Sequence, residues 1–332
     1  MTWTRALVAE RLRSDPDALA ALVARTAEAT GVVEAYIEKD FWATEVLRVA
    51  SRAREALLAD GSTAQVEFLF KGGTSLSRVY RLVDRFSEDI DLLAVFPDRV
   101  AKNARHTILK QVDAEVSAHL GIAGEVSSSE TGVKRYTTYR YPTEHSSGLL
   151  KEGVLLELGS RGGTQPAALH PYRSMVADHA IGVLGDAEDE WEEFEPFDVL
   201  TLAPERTLLE KLAGLHAMAT TGDLARLRLA GRHFYDIHQL LGDEGTRQAL
   251  VSLGRDGIAA LAADIDEHSR AAGFASAPRP DGGYADSPSF SVDGEVAVAI
   301  AEGYRAVAGL IYGEVPELDA VRGRIAESRQ ML

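Results

Sequence analysis

The segment that most restricts the fold is "QVEFLFKGGTSLSRVYRLVDRFSEDIDLL", residues 65–93. Gln65 to Phe70 alternates and carries β-branched and aromatic side chains, which predicts a strand. Gly72 and Gly73 end it. Leu76, Val79, Tyr80 and Val83 then fall on one helical face, and "DIDLLAVF" reads as a second strand. Strand, glycine turn, helix, strand is an α/β (α+β) order that brings the turn and the two aspartates to neighbouring ends of paired strands.

The flanks extend this unit. "DPDALAALVARTAEATG" begins with a capping Asp15 and Pro16 and stops at a glycine, and "EKDFWATEVLRVASRAREALLA" keeps a helical period, so residues 5–60 are expected to be helical. "ARHTILKQVDAEVSAHLG" is an amphipathic helix, "VKRYTTYRYP" and "GVLLELGS" are strands, and "FEPFDVLTL" is placed to close the sheet. From Ala203 the pattern turns helical: Pro204 opens a helix through Met218, and Arg232 to Leu241 forms another. The Pro/Gly/Ser-rich "ASAPRPDGGYADSPSF" is a loop before "GEVAVAIAEGYRAVAGLIYG" and a terminal helix. The expected organisation is N-terminal helices over 1–60, a mixed-sheet core over 61–202 and a helical domain over 203–332.

Composition excludes several chemistries. The 332-residue chain has no cysteine, which rules out disulfides, thiolate metal sites and cysteine nucleophiles. No secretory leader and no spanning apolar run is visible, so a cytoplasmic protein with no membrane partner is expected. A formal net charge of −16 opposes a non-specific nucleic-acid coat. Basic clusters remain at Lys134, Arg135 and Arg140 and at Arg226, Arg228 and Arg232, which suit either a mixed-charge surface or a local acceptor groove.

Side chains alternate along a strand, so Asp89 and Asp91 share a face, with Cα atoms roughly 7 Å apart, while Ile90 points to the core. Two carboxylates facing one side repel unless a cation lies between them, and hard oxygen donors suit Mg²⁺. The glycines let backbone approach a ligand, and a helix start near Thr74 offers free N–H groups to phosphate. A nucleoside triphosphate with magnesium explains both halves. The loop is neither a Walker A sequence nor a dinucleotide-binding G-x-G-x-x-G. Glu157, among aliphatic residues on its strand, is the best third carboxylate, explained by a metal, by Arg161 or by solvent exposure. His170 and His233 are read as structural or substrate-contacting.

The same residues resemble the nucleotidyltransferase superfamily, with Gly73 and Thr74 on the turn and Asp89 and Asp91 on the next strand. More narrowly, "FKGGTSLSRVYRL" with "RFSEDIDLL" is similar to the AbiEii group, the nucleotidyltransferase-like toxins of type IV toxin–antitoxin systems that include the MenT toxins. "EKDFWATEVLRVA", "LTLAPERTLLEKLAGL", "GRHFYDIHQLL" and "GYADSPSF" with "EGYRAVAGLIYGEVPELDAV" extend the likeness from about Glu38 to Val321.

The resemblance implies a nucleotidyltransferase-type mixed β-sheet core, with the helical C-terminal domain forming the other wall of an active-site cleft. It implies that Lys71, Gly72, Gly73 and Thr74 receive the triphosphate of an NTP, that Asp89 and Asp91 bind Mg²⁺, and that Ser87, Lys211 and Asp236 complete the catalytic set. The superfamily often adds a third carboxylate on a later strand, and Glu157 is the candidate, as a metal ligand or general base or else as an ion-pair partner. Read by itself, Lys211 borders the stripe of Leu208, Leu212 and Leu215, a position that also suits a lysine covering apolar surface. Asp236 borders Phe234, Ile237 and Leu241, where it either complements the helix dipole or pairs with Arg232. The likeness further implies NMP transfer to the tRNA 3′ end, blocked aminoacylation, and a nearby winged-helix, AbiEi-like antitoxin; a local basic groove from Arg135, Arg140, Arg226, Arg228 and Arg232 could serve the acceptor. A small-molecule or protein acceptor, or a nucleotide-binding module without turnover, is the alternative.

Overall fold

Helix α1, Pro16–Thr30, starts as its sequence dictates: Asp15 accepts from the Ala18 amide, and Gly31 closes the helix in the left-handed region. The computed structural model describes residues 9–332 other than 88, 144, 146, 147 and 149. Helix α2, Glu34–Ala50, is buried from Tyr36 to Ala50, charged residues included. Burial on all sides demands partners for those charges. Lys39 donates to the Lys151 carbonyl at 2.7 Å, Asp40 accepts from the Met175 amide at 2.6 Å, and Arg48 donates to Glu45 and to the carbonyls of Glu193 and Glu195.

The helix does not continue to residue 60. Arg54–Leu57 is instead strand β1, paired antiparallel with β2, Thr63–Lys71, in the register Arg54↔Val66 to Leu57↔Thr63. Pairing with a core strand outweighs the local helical pattern, and Arg54 is fixed by Glu115 at 2.7 Å and by the carbonyls of Val49 and Ala50.

The remaining strands are β3 (Asp89–Val95), β4 (Gly124–Glu130), β5 (Lys134–Tyr139), β6 (Val154–Gly159), β7 (Ala167–Tyr172) and β8 (Phe197–Leu202). The sheet order is β4-β5-β6-β3-β2-β8-β7, with β1 on β2. β8 therefore lies inside the sheet rather than closing it, and β7, whose exposed Leu169 and internal Pro171 hide it in the sequence, is an edge. Helix α4, Lys102–Leu120, ends at left-handed Gly121.

Two compact units result, and they do not follow the chain in order. The first gathers Met1–Phe70, Glu88–Leu158 and Leu169–Leu200; the second gathers Lys71–Ser87, Gly159–Ala168 and Thr201–Leu332. The expected domain boundary near 202/203 is close to the last of these divisions, but the turn segment 71–87 groups with the helical half. Its Leu76 and Val83 supply the reason, since they belong to one apolar cluster with Leu208, Leu212, Leu215, Phe234 and Ile237. Burial of each such side chain is worth about 1.5–3 kcal/mol.

In the second unit, helix α3 is short, Gly72–Arg78, not the longer helix expected through Val83. Arg81 takes φ 55°, and the chain runs on extended, with the Phe86 amide donating to the Leu310 carbonyl and the Tyr312 amide to the Asp84 carbonyl. The other helices are α6 (Pro204–Thr220), α7 (Leu224–Leu229), α8 (Gly231–Gly242), α9 (Glu244–Ala272, broken at Gly254), α10 (Gly294–Val307) and α11 (Leu318–Glu327), while α5 (Met175–His179) belongs to the first unit. Among the described residues no helix is long and apolar enough to cross a membrane.

Candidate active site

In the first unit, β3 alternates as its sequence requires: Ile90 is fully buried and Asp89 and Asp91 are half-buried on the opposite face. β6 lies beside β3, and with Val154, Leu156 and Leu158 inward, Glu157 faces the other way. Glu157 is hydrogen-bonded to Asp91, and its carboxyl is raised to about 7 by burial first, then by the charges of Asp91 and Asp89 and by that hydrogen bond, with Lys151 opposing. A carboxyl–carboxylate contact requires one member to keep a proton, and Glu157 is the member whose environment favours it. Lys151 Nζ stands 3.8 Å from Asp89, and the Tyr136 hydroxyl on neighbouring β5 is raised by burial and by Glu157 and Asp91.

Three hard oxygen donors with mutual repulsion are the chemistry that suits Mg²⁺. Among the described residues, no three His, Asp or Glu side chains are already arranged as a metal cage. Asp89 and Asp91 would hold such a cation, with water and phosphate oxygens completing its shell, as Mg²⁺ prefers.

In the second unit, Gly72 has φ 83°, a conformation that favours glycine, and Gly73 is required by close approach. A Cβ on Gly73 would lie 2.5 Å from Arg85 Nη2 and 2.8 Å from Ser87 Oγ. Thr74 Oγ1 donates to Ser87 Oγ at 2.9 Å, so the turn and the predicted serine meet directly. Because α3 stops early, the extended chain carries Arg85 inward. Its Nε and Nη2 donate to Asp236 Oδ1 and Oδ2 at 2.6 and 2.7 Å, and Nη1 donates to the Phe86 carbonyl. Lys211 Nζ lies 2.8 Å from Asp236 Oδ2. Gly73, Thr74, Ser87, Lys211 and Asp236 thus form one contiguous network, and Arg85 joins its two ends.

Burial pushes the Asp236 carboxyl up, but Arg85 and then Lys211 outweigh it and hold it well below the usual carboxylate range. Lys211 is lowered by burial, partly offset by Asp236 and deepened by Arg85. His233, adjacent on α8, is driven well below its ordinary value by burial and by Lys211, and its Nδ1 has no hydrogen-bond partner. It is therefore neutral.

Arg85, which the sequence reading did not single out, takes the place expected of Arg232 at Asp236. The one sequence signal was an arginine fixed between an apolar run and the D-x-D. Of the basic clusters, Arg135 is paired with Asp113 at 2.6 Å, Arg140 with Glu125 and Glu152, Arg226 with Asp223 and Arg228 with Glu302. Arg232 is exposed. Lys71 lines a cavity of about 240 Å³ with Arg161, Gly163, Arg206 and Glu210. On α6, at 100° per residue, the face bearing Arg206 and Glu210 lies about 120° from Lys211, so this cavity and the ion cluster use different sides of the helix.

A mixed sheet with paired aspartates opening β3, after a glycine turn, defines a nucleotidyltransferase-type fold. The family model of nucleotidyl transferase AbiEii toxins of type IV toxin–antitoxin systems matches residues 56–323, and the chain belongs to that family. Membership in a toxin–antitoxin family implies a cognate antitoxin as partner. No curated protein matches the sequence.

Proposed function

We propose that this protein transfers a nucleoside monophosphate from an NTP to an acceptor hydroxyl at the 3′ end of tRNA, blocking aminoacylation and hence translation. The observation that carries the reading is the gathering of Asp89, Asp91 and Glu157 on one face of β3 and β6, with Glu157 raised to about 7. Bound Mg²⁺ would neutralise Asp89 and Asp91 and polarise the triphosphate. The acceptor oxygen attacks the α-phosphorus, the new O–P bond forms as the α–β bond breaks, and pyrophosphate leaves. Glu157, ionised once a cation offsets the charges of Asp89 and Asp91, accepts the hydroxyl proton. Gly73, Thr74 and Ser87 orient the triphosphate, and Lys211 stabilises charge on the leaving pyrophosphate.

With a net charge of −16, acceptor binding must rest on a few local cations, and Arg232 is exposed within electrostatic reach of Lys211. A winged-helix, AbiEi-like antitoxin in the cytoplasm is the expected partner. The test is incubation of wild type and Asp89→Ala with total tRNA, Mg²⁺ and each α-labelled NTP, resolved on a denaturing gel. Label on tRNA with wild type alone, and unchanged melting of the variant, is the expected result. Equal labelling by Asp89→Ala would overturn the assignment of that aspartate, and absence of label in every lane would overturn the acceptor.

A further inference from the structure

We infer that Arg85 is a positioning residue whose charge keeps Lys211 available to an anionic ligand; this rests on the reading of the site as a triphosphate receptor. The argument is charge arithmetic in a closed space. Arg85 is 2% exposed, Asp236 0% and Lys211 9%. Lys211 and Asp236 alone would make a neutral ion pair with nothing left for a phosphate. With Arg85 forked onto both oxygens of Asp236, the cluster carries one net positive charge, and His233 adds none because it is neutral. The excess sits on the member nearest the surface, the Lys211 ammonium.

Arg85 also seats the turn. Its Nη2 lies only 2.5 Å from where a Gly73 Cβ would be, and Gly73 leads to the Thr74–Ser87 hydrogen bond. One guanidinium therefore holds the backbone that would meet the phosphates in register with the ammonium that would meet their charge. Arginine suits both tasks, since its planar fork is always charged and binds carboxylate bidentately.

The test is equilibrium binding of inorganic tripolyphosphate with Mg²⁺, a probe without a base, to folded variants checked by circular dichroism. Arg85→Gln, which leaves the cluster neutral, is expected to weaken binding by about 30-fold or more. Arg85→Gln combined with Asp236→Asn restores the single net charge as a neutral amide pair beside Lys211, and is expected to recover most of that loss. Arg85→Lys, with the charge kept but the fork lost, is expected to bind between wild type and Arg85→Gln. Should Arg85→Gln not fold, the double variant and Arg85→Lys decide the matter. Unchanged binding by folded Arg85→Gln, no recovery in the double variant, or equal loss in Arg85→Lys would overturn the role of Arg85 alone. Failure of the wild type to bind tripolyphosphate or any NTP would instead overturn the underlying reading of the site.

Discussion

Gly73→Ala tests the packing of the turn most sharply. The added methyl would stand 2.5 Å from Arg85 Nη2, 3.1 Å from Nη1 and 2.8 Å from Ser87 Oγ. The guanidinium is not a flexible end that can swing aside, because it is pinned to Asp236 at 2.6 and 2.7 Å inside the core. Relieving the clash stretches both charged hydrogen bonds. Overpacking costs about 1–3 kcal/mol, and weakening bonds to a buried charge adds about 1–2 kcal/mol. We expect a loss of roughly 3 kcal/mol. Gly214→Ala is the matched control: it lies inside α6 with nothing within 4 Å of its Cβ, so the same substitution should stabilise by about 0.5–1 kcal/mol. Urea denaturation followed by circular dichroism would compare the midpoints. If Gly73→Ala were as stable as wild type, the close approach of the turn to Arg85 would be refuted.

The ion cluster makes a second, asymmetric prediction: Asp236→Asn leaves two buried cations without a counter-charge and should cost about 3–5 kcal/mol. Lys211→Met leaves the Arg85–Asp236 fork paired and should cost only about 1–2 kcal/mol, so equal losses in thermal melts would contradict this charge balance. A third concerns acid. Burial lowers His233 well below 6.5 and His238 to about 4, so the unfolded chain binds more protons than the fold once pH drops below about 6.5. Stability is then full above that pH and falls as pH moves from 6.5 toward 4, before the Asp236 carboxylate begins to titrate. A melting temperature unchanged between pH 7.5 and 5 would refute neutral burial of these histidines.

The elements of this fold were legible where a single local pattern decides them. Asp89, Ile90 and Asp91 alternate as their spacing demands, and α1 starts and stops at its capping residues. The pattern failed where distant contacts decide. Arg54–Leu57 has helical composition, yet pairing with β2 sets it as a strand. The helical period through Val83 is likewise real in the sequence, but Arg81 turns the chain so that Arg85 can reach Asp236, 151 residues away. No local pattern encodes a partner at that separation. Lys211 and Asp236 illustrate the same point, since each alone reads as an ordinary border residue and only their 2.8 Å contact reveals a buried pair.

The central claim is that the α-phosphoryl group, carrying its nucleoside, passes to the acceptor. The most direct measurement pairs α-labelled with γ-labelled NTP in otherwise identical reactions with tRNA and Mg²⁺. Label on the RNA from the α position only, with one pyrophosphate released per nucleotide added, is the predicted result. Label delivered from the γ position would show phosphoryl rather than nucleotidyl transfer and contradict the account.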